Sequence, residues 1–126
     1  MFKANLELGK FGEKQAIQFL KQNSYKILSI NYKTKLGEID IIALDQDVVC
    51  FIEVKTRKSD RFGLPSEAVT IFKQKQIVNS AWIYLKTRKL LDKKARFDIV
   101  SVNCFGNNQK ITLIKDAFSL EERQSY

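Results

Sequence analysis

Residues 37–56 read GEIDIIALDQDVVCFIEVKT. Two β-rich runs, Gly37–Leu44 and Val48–Thr56, flank the turn-forming Asp45-Gln46-Asp47, which predicts an antiparallel hairpin. With an even-numbered loop, Asp45 stands opposite Val48, and further along Asp40 opposes Glu53 and Glu38 opposes Lys55. Side chains two apart on a strand share a face, so Glu38, Asp40, Glu53 and Lys55 project from one side. The other side, with Ile39, Ile41, Ala43, Cys50, Ile52 and Val54, is a core face. Toward the turn the charged side becomes apolar through Ile42, Leu44, Val49 and Phe51. That pattern predicts a sheet covered on both faces, with its charges gathered at one end.

Upstream of the hairpin, Leu8, Phe11, Ala16, Phe19 and Leu20 recur at helical spacing, which predicts a first helix over Asn5–Gln22. Tyr25–Thr34 alternates and extends the hairpin to a three-stranded meander. Downstream, Arg57–Pro65 is a polar loop, and Ser66 is the expected N-cap of a second helix reaching about Thr87. Ala68, Ile71, Val78, Trp82 and Leu85 are its expected inner stripe. Arg96–Phe105 and Lys110–Phe118 read as two further strands around Gly106-Asn107-Asn108. The order α-β-β-β-α-β-β implies an α/β fold with a mixed central β-sheet flanked by helices. One domain is expected over residues 1–118, with a tail over 119–126.

The chain of 126 residues carries 22 Lys plus Arg against 14 Asp plus Glu, a formal charge of +8, and has no histidine. Its length suits a single core. The missing imidazole excludes His-activated nucleophiles and His-ligated zinc, leaving carboxylates, lysines and hydroxyls to do any chemistry. Cys50 and Cys104 lie in apolar, β-rich segments without a C-x-x-C spacing and read as reduced core thiols. No run of the chain is long and apolar enough for a membrane span or a signal peptide, so a cytoplasmic protein is expected. The positive charge points to a polyanionic partner, nucleic acid above all, because Lys and Arg gain affinity by releasing counterions from phosphates. The runs at 55–58 and 86–96 read as the basic rim of a folded surface.

Two carboxylates opposed on a half-covered sheet repel, and burial raises the penalty for keeping both ionised. A cation between Asp40 and Glu53 answers both costs. Mg²⁺ or Mn²⁺ suits hard oxygen ligands, and Lys55 would stand beside a metal-bound water. The competing reading is a solvated face in which Glu38 pairs with Lys55 and Asp40 with Arg57.

Asp40 followed by Glu53-Val54-Lys55 resembles the D-x(n)-(D/E)-x-K pattern of restriction-endonuclease-like nucleases. The wider set is Gly9, Gly12, Glu13, Ala16 and Leu20, then Leu28, Asn31 and Lys33, then Gly37-Glu38-Ile39-Asp40. It continues with Phe51 to Arg57, Glu67 to Thr70, and Arg96 to Val100. Together these residues, over roughly 8–102, resemble the bacterial YraN family. The resemblance implies a restriction-endonuclease-like fold related to Holliday-junction resolvases, with a first-helix glutamate joining the metal site. Carried over, the implied catalytic set is Glu13, Asp40, Glu53 and Lys55, with Glu13, Asp40 and Glu53 as metal ligands. Glu13 shares a helical face with Gly9, Ala16 and Leu20, where a pure core helix would place an aliphatic side chain. The sequence departs from the wider patterns at Ile39, often proline in such nucleases, and at Lys33, more often arginine in the family. Lys33, Arg57, Lys58 and Lys73 are candidate phosphate contacts, and Asp98 is expected to pair with a nearby cation or to cap the strand end.

The expected activity is Mg²⁺- or Mn²⁺-dependent hydrolysis of DNA phosphodiesters, with branched DNA as the substrate and a homodimer as the working form. The alternative is a non-catalytic nucleic-acid-binding accessory protein of DNA recombination or processing.

Overall fold

The computed structural model describes residues 2–58 and 69–119. Its elements are α1 (Phe2–Gln22), β1 (Lys26–Thr34), β2 (Gly37–Asp45), β3 (Val48–Arg57), α2 (Ile71–Thr87), β4 (Ala95–Phe105) and β5 (Asn108–Phe118). This is the α/β order expected. The five strands form one mixed sheet in sequential order, β1-β2-β3-β4-β5. All neighbours are antiparallel except β3 and β4, whose parallel pairing requires a crossover, and α2 lies between them in the chain.

The hairpin register is the one the even loop demands, from Asp45 opposite Val48 to Ile41 opposite Ile52. Gln46 adopts φ 58, the left-handed conformation that a two-residue loop needs. The pairing of β2 with β3 ends at Ile41/Ile52, so Asp40 and Glu53 lie just past the last ladder pair. The expected pairs Asp40/Glu53 and Glu38/Lys55 are not formed, because a ladder partner presumes strands that stay together.

Helices cover both faces. On the α2 side Ile39, Ile42, Val49, Phe51, Ile77, Ala81, Tyr84, Phe97 and Phe118 form one core cluster. There Phe97 stacks between Phe51 and Phe118, with ring centroids at 5.6 and 4.9 Å. Burying such rings stabilises the fold by about 1.5–3 kcal/mol each. On the α1 side Ala16, Leu20, Ile41, Ala43, Cys50, Ile52, Val100 and Val102 form the second cluster. Ile39 therefore packs on the opposite side from Ile41, contrary to strict alternation. The break falls at Asp40, where β2 leaves its neighbour.

Helix α2 begins at Ile71, and Thr70 is its N-cap, with Oγ1 accepting from Lys73 N at 3.2 Å. The expected N-cap Ser66 lies outside the described residues. The inner face carries Ile77, Val78, Ser80, Ala81, Tyr84 and Leu85, whereas Ile71 and Trp82 are 63% and 42% exposed. Hydropathy turned the expected stripe by about a quarter turn at 100° per residue. The cause is Ser80, a polar residue that is fully buried because its hydroxyl meets Thr34 Oγ1 at 2.9 Å. Phe11, expected on the inner face of α1, is 44% exposed.

At the hairpin end of the sheet Arg96 donates to both Asp98 oxygens at 3.0 Å, to Asp45 Oδ2 at 2.8 Å and to Tyr25 Oη at 2.8 Å. Asp98 is thus the paired carboxylate that was expected. Both thiols are free, Cys50 buried and Cys104 half-buried. Among the described residues no helix is long and apolar enough to cross a membrane.

Candidate active site

Where β2 leaves β3, a cavity of about 410 Å³ opens between the sheet end and α1. Four of its lining side chains are Glu13, Asp40, Glu53 and Lys55, the expected catalytic set. Each arrives from a different local cause. The lost ladder partner leaves Val54 N facing the gap, and Asp40 Oδ2 accepts from it at 2.8 Å. Asp40 is anchored by that bond, which replaces the missing strand contact. Glu53 sits on β3 beside β4, in register with Ile99, and is 6% exposed. Glu13 enters from α1, which approaches β3 closely at Gly12. A Cβ at Gly12 would collide with Thr56 Oγ1 and lie 2.8 Å from Thr56 Cβ.

The electrostatics follow from this crowding. Burial, then repulsion from Asp40 and a hydrogen bond to it, push the Glu53 carboxyl up to about 8, against weaker pulls from Lys73 and Lys55. Glu13 is also raised, by burial first and then by Asp40 and Glu38. Oε1 of Glu13 and Oε2 of Glu53 are buried and accept no hydrogen bond. Buried acceptors are rarely left in this state, and for two carboxylates the remedy is a proton or a cation. A hard divalent cation fits this donor set by chemistry: oxygen ligands, two of them unsatisfied, with mutual repulsion to relieve. Among the described residues no three acidic or thiol side chains are gathered tightly enough to hold an ion as they stand.

The phosphate-contact candidates divide. Lys73 Nζ lies 3.9 Å from Glu53 Oε2, with a third of the side chain exposed. Lys33 and Lys58 are exposed, and neither they nor Arg57 line the cavity. Glu38, the expected partner of Lys55, faces Lys33 across the β1–β2 ladder. The Lys73–Glu53 approach has no signal in the sequence, because it joins residues 20 apart in the chain through the crossover. The pairing of Gly12 with Thr56 had a signal, the glycine preceding Glu13.

A family profile described as "Uncharacterised protein family UPF0102" matches residues 12–102. A UPF0102 protein of Syntrophus aciditrophicus is 47% identical over 116 residues, covering 92% of this chain and 91% of that protein. One of Caldanaerobacter subterraneus is 48% identical over 108 residues, covering 86% and 87%. One of Clostridium perfringens is 42% identical over 120 residues, covering 94% and 98%.

Proposed function

We propose that this chain, which belongs to the uncharacterised protein family UPF0102, is a divalent-metal-dependent endonuclease that hydrolyses DNA phosphodiesters, with branched DNA as its preferred substrate. The observation that carries this reading is the pair of buried carboxylate oxygens of Glu13 and Glu53 that accept no hydrogen bond, on the wall of a cavity that also holds Asp40 and Lys55. A structural core gains nothing from such a grouping. A phosphodiesterase needs it.

Asp40, Glu53 and Glu13 would hold Mg²⁺ or Mn²⁺, which when bound lowers the pKa of water and neutralises charge on the phosphate. Asp40 is fixed by Val54 N, which donates to its Oδ2, and lines the cavity. Lys73, with its Nζ 3.9 Å from Glu53 Oε2, adds positive charge beside that ligand. Lys55 orients the attacking water and stabilises the negative charge that develops on the phosphoryl oxygens. Water adds at phosphorus as the bond to the leaving oxygen breaks; the water loses a proton to solvent and the leaving oxygen takes one up, giving a phosphate monoester and an alcohol. The net charge of +8 supports gripping backbone phosphates without reading bases.

The test is a cleavage panel of linear, nicked, flapped and four-way DNA in Mg²⁺, Mn²⁺ or EDTA, run beside Asp40→Asn and Lys55→Ala. Metal-dependent cutting that both variants lose supports the proposal. DNA binding with no cutting in either metal overturns it in favour of a non-catalytic binding module.

A further inference from the structure

A second cavity, of about 490 Å³, lies at the opposite end of the sheet, beside the β2–β3 turn and the C-terminal end of α2. It falls within the span of small-molecule sites, on the order of 300–1,000 Å³. Leu28, Leu44, Val49 and Leu90 make its apolar wall, Arg88 and Lys93 stand at it as exposed cations, and one acid, the exposed Asp47, lines it as well, so the cations outnumber the acid by two to one. Nothing in the proposed hydrolysis uses it.

Three observations define what it takes. Arg88 rests against an aromatic ring, its Cζ 5.5 Å from the Tyr84 ring centroid, and the side chain is exposed at the cavity. Neither Arg88 nor Lys93 enters an ion pair among the described residues. The surrounding stretch 86–94 has five cations, Lys86, Arg88, Lys89, Lys93 and Lys94, against the single acid Asp92. The carbonyl end of a helix would repel an anion, but here its carbonyls are occupied. Tyr84 O accepts from Arg88 N, Leu85 O from Leu90 N, and Lys86 O from Lys89 N.

We infer that this cavity binds an aromatic anion of mononucleotide size, its flat ring against the leucines and Val49 and its phosphate at Arg88 and Lys93. The inference stands apart from the nuclease reading, since it uses none of the same residues. The shared chemistry has two sources, a free mononucleotide and the 5′-phosphorylated end of a nucleic-acid strand.

Titration of the ¹⁵N-labelled chain in EDTA with deoxyadenosine monophosphate tests it, with deoxyadenosine and a 5′-phosphorylated oligonucleotide as parallel arms. The expected result is saturable shifts at the amides of Leu44, Val49 and Leu90. Binding should weaken about tenfold for deoxyadenosine, and about tenfold in the double variant Arg88→Glu, Lys93→Glu, whose exposed positions leave the core untouched. Competition by the oligonucleotide assigns the site to a strand end, and its failure to compete assigns it to the free nucleotide. No shifts at these amides in millimolar nucleotide would overturn the inference. So would equal affinity for deoxyadenosine, or unchanged affinity in the charge-reversed variant.

Discussion

Glu53 is the residue at which stability and chemistry pull apart. Its carboxyl is raised from 4.5 to about 8 by burial and by Asp40. A raised carboxyl favours the fold while protonated, so its contribution is complete below about 4.5 and is lost as pH rises through about 8. Asp45 behaves oppositely: its hydrogen bond from Arg96 lowers its pKa, so its contribution is lost only as pH falls below the ordinary 3.8. The two windows do not overlap. Metal-free protein is therefore expected to weaken in urea unfolding between about pH 5 and pH 8.5, and Glu53→Gln should flatten that slope. Asp40→Asn keeps an oxygen for Val54 N and removes the charge facing Glu53, so metal-free stability should hold or rise. The same change should abolish the Mn²⁺ binding heat in calorimetry, and unchanged affinity would remove Asp40 from the site. Lys55→Ala should lower the cleavage rate by about a hundredfold or more, by analogy with the loss of one donor to a developing oxyanion. DNA affinity should fall only slightly, since Lys55 is one of 22 basic residues.

At the scale of elements, the site depends on how near α1 comes to β3. Gly12 sits inside α1, where alanine would ordinarily gain about 1 kcal/mol in helix propensity. Packing reverses the sign, because the added Cβ would collide with Thr56 Oγ1. Overpacking of this kind costs about 1–3 kcal/mol, which exceeds the gain. Gly12→Ala is therefore expected to lower stability by a net of up to ~2 kcal/mol and to weaken metal binding by moving Glu13. Thr56→Gly in the same chain should restore the metal affinity. A double-mutant cycle in denaturation and calorimetry checks the coupling, and strict additivity would show that the contact does not position Glu13. The same elements show what could be read beforehand. The β2–β3 register was legible because turn length and alternation both specify it. The packing of Ile39 was not, since alternation assumes an unbroken ladder and Asp40 replaces one rung with its own carboxylate. The inner face of α2 was hidden by Ser80, whose burial depends on a hydroxyl 46 residues away. The nearness of Asp40, Glu53 and Lys55 was legible from residue types at fixed spacing in the hairpin, and Glu13 joined them only through the family resemblance, whereas the Lys73–Glu53 approach depends on where the crossover lands.

At the scale of the whole molecule, each chain has one candidate cleavage cavity, while a four-way junction cut symmetrically must be cut on two strands. Two copies related by a two-fold axis meet that need, and the sheet leaves β1 and β5 as edges on which such a pairing can form. The charge supplies the reason for a branched substrate. A single domain of +8 meets the phosphates of one duplex. Two such domains held at a fixed angle meet several arms at once, and the second contact is made at the high effective concentration set by the first. A straight duplex cannot present phosphates on both faces of the pair. The chain is therefore expected to bind a four-way junction at least about tenfold more tightly than linear duplex of equal length at near-physiological salt. The affinity should fall more steeply with salt for the junction, because more counterions are released. Gel-shift titrations across a salt series give both quantities, and light scattering of the complex should return two chains per junction. Equal affinity and equal salt slopes, or one chain per junction, would leave phosphodiester hydrolysis possible but remove branched DNA as the proposed substrate.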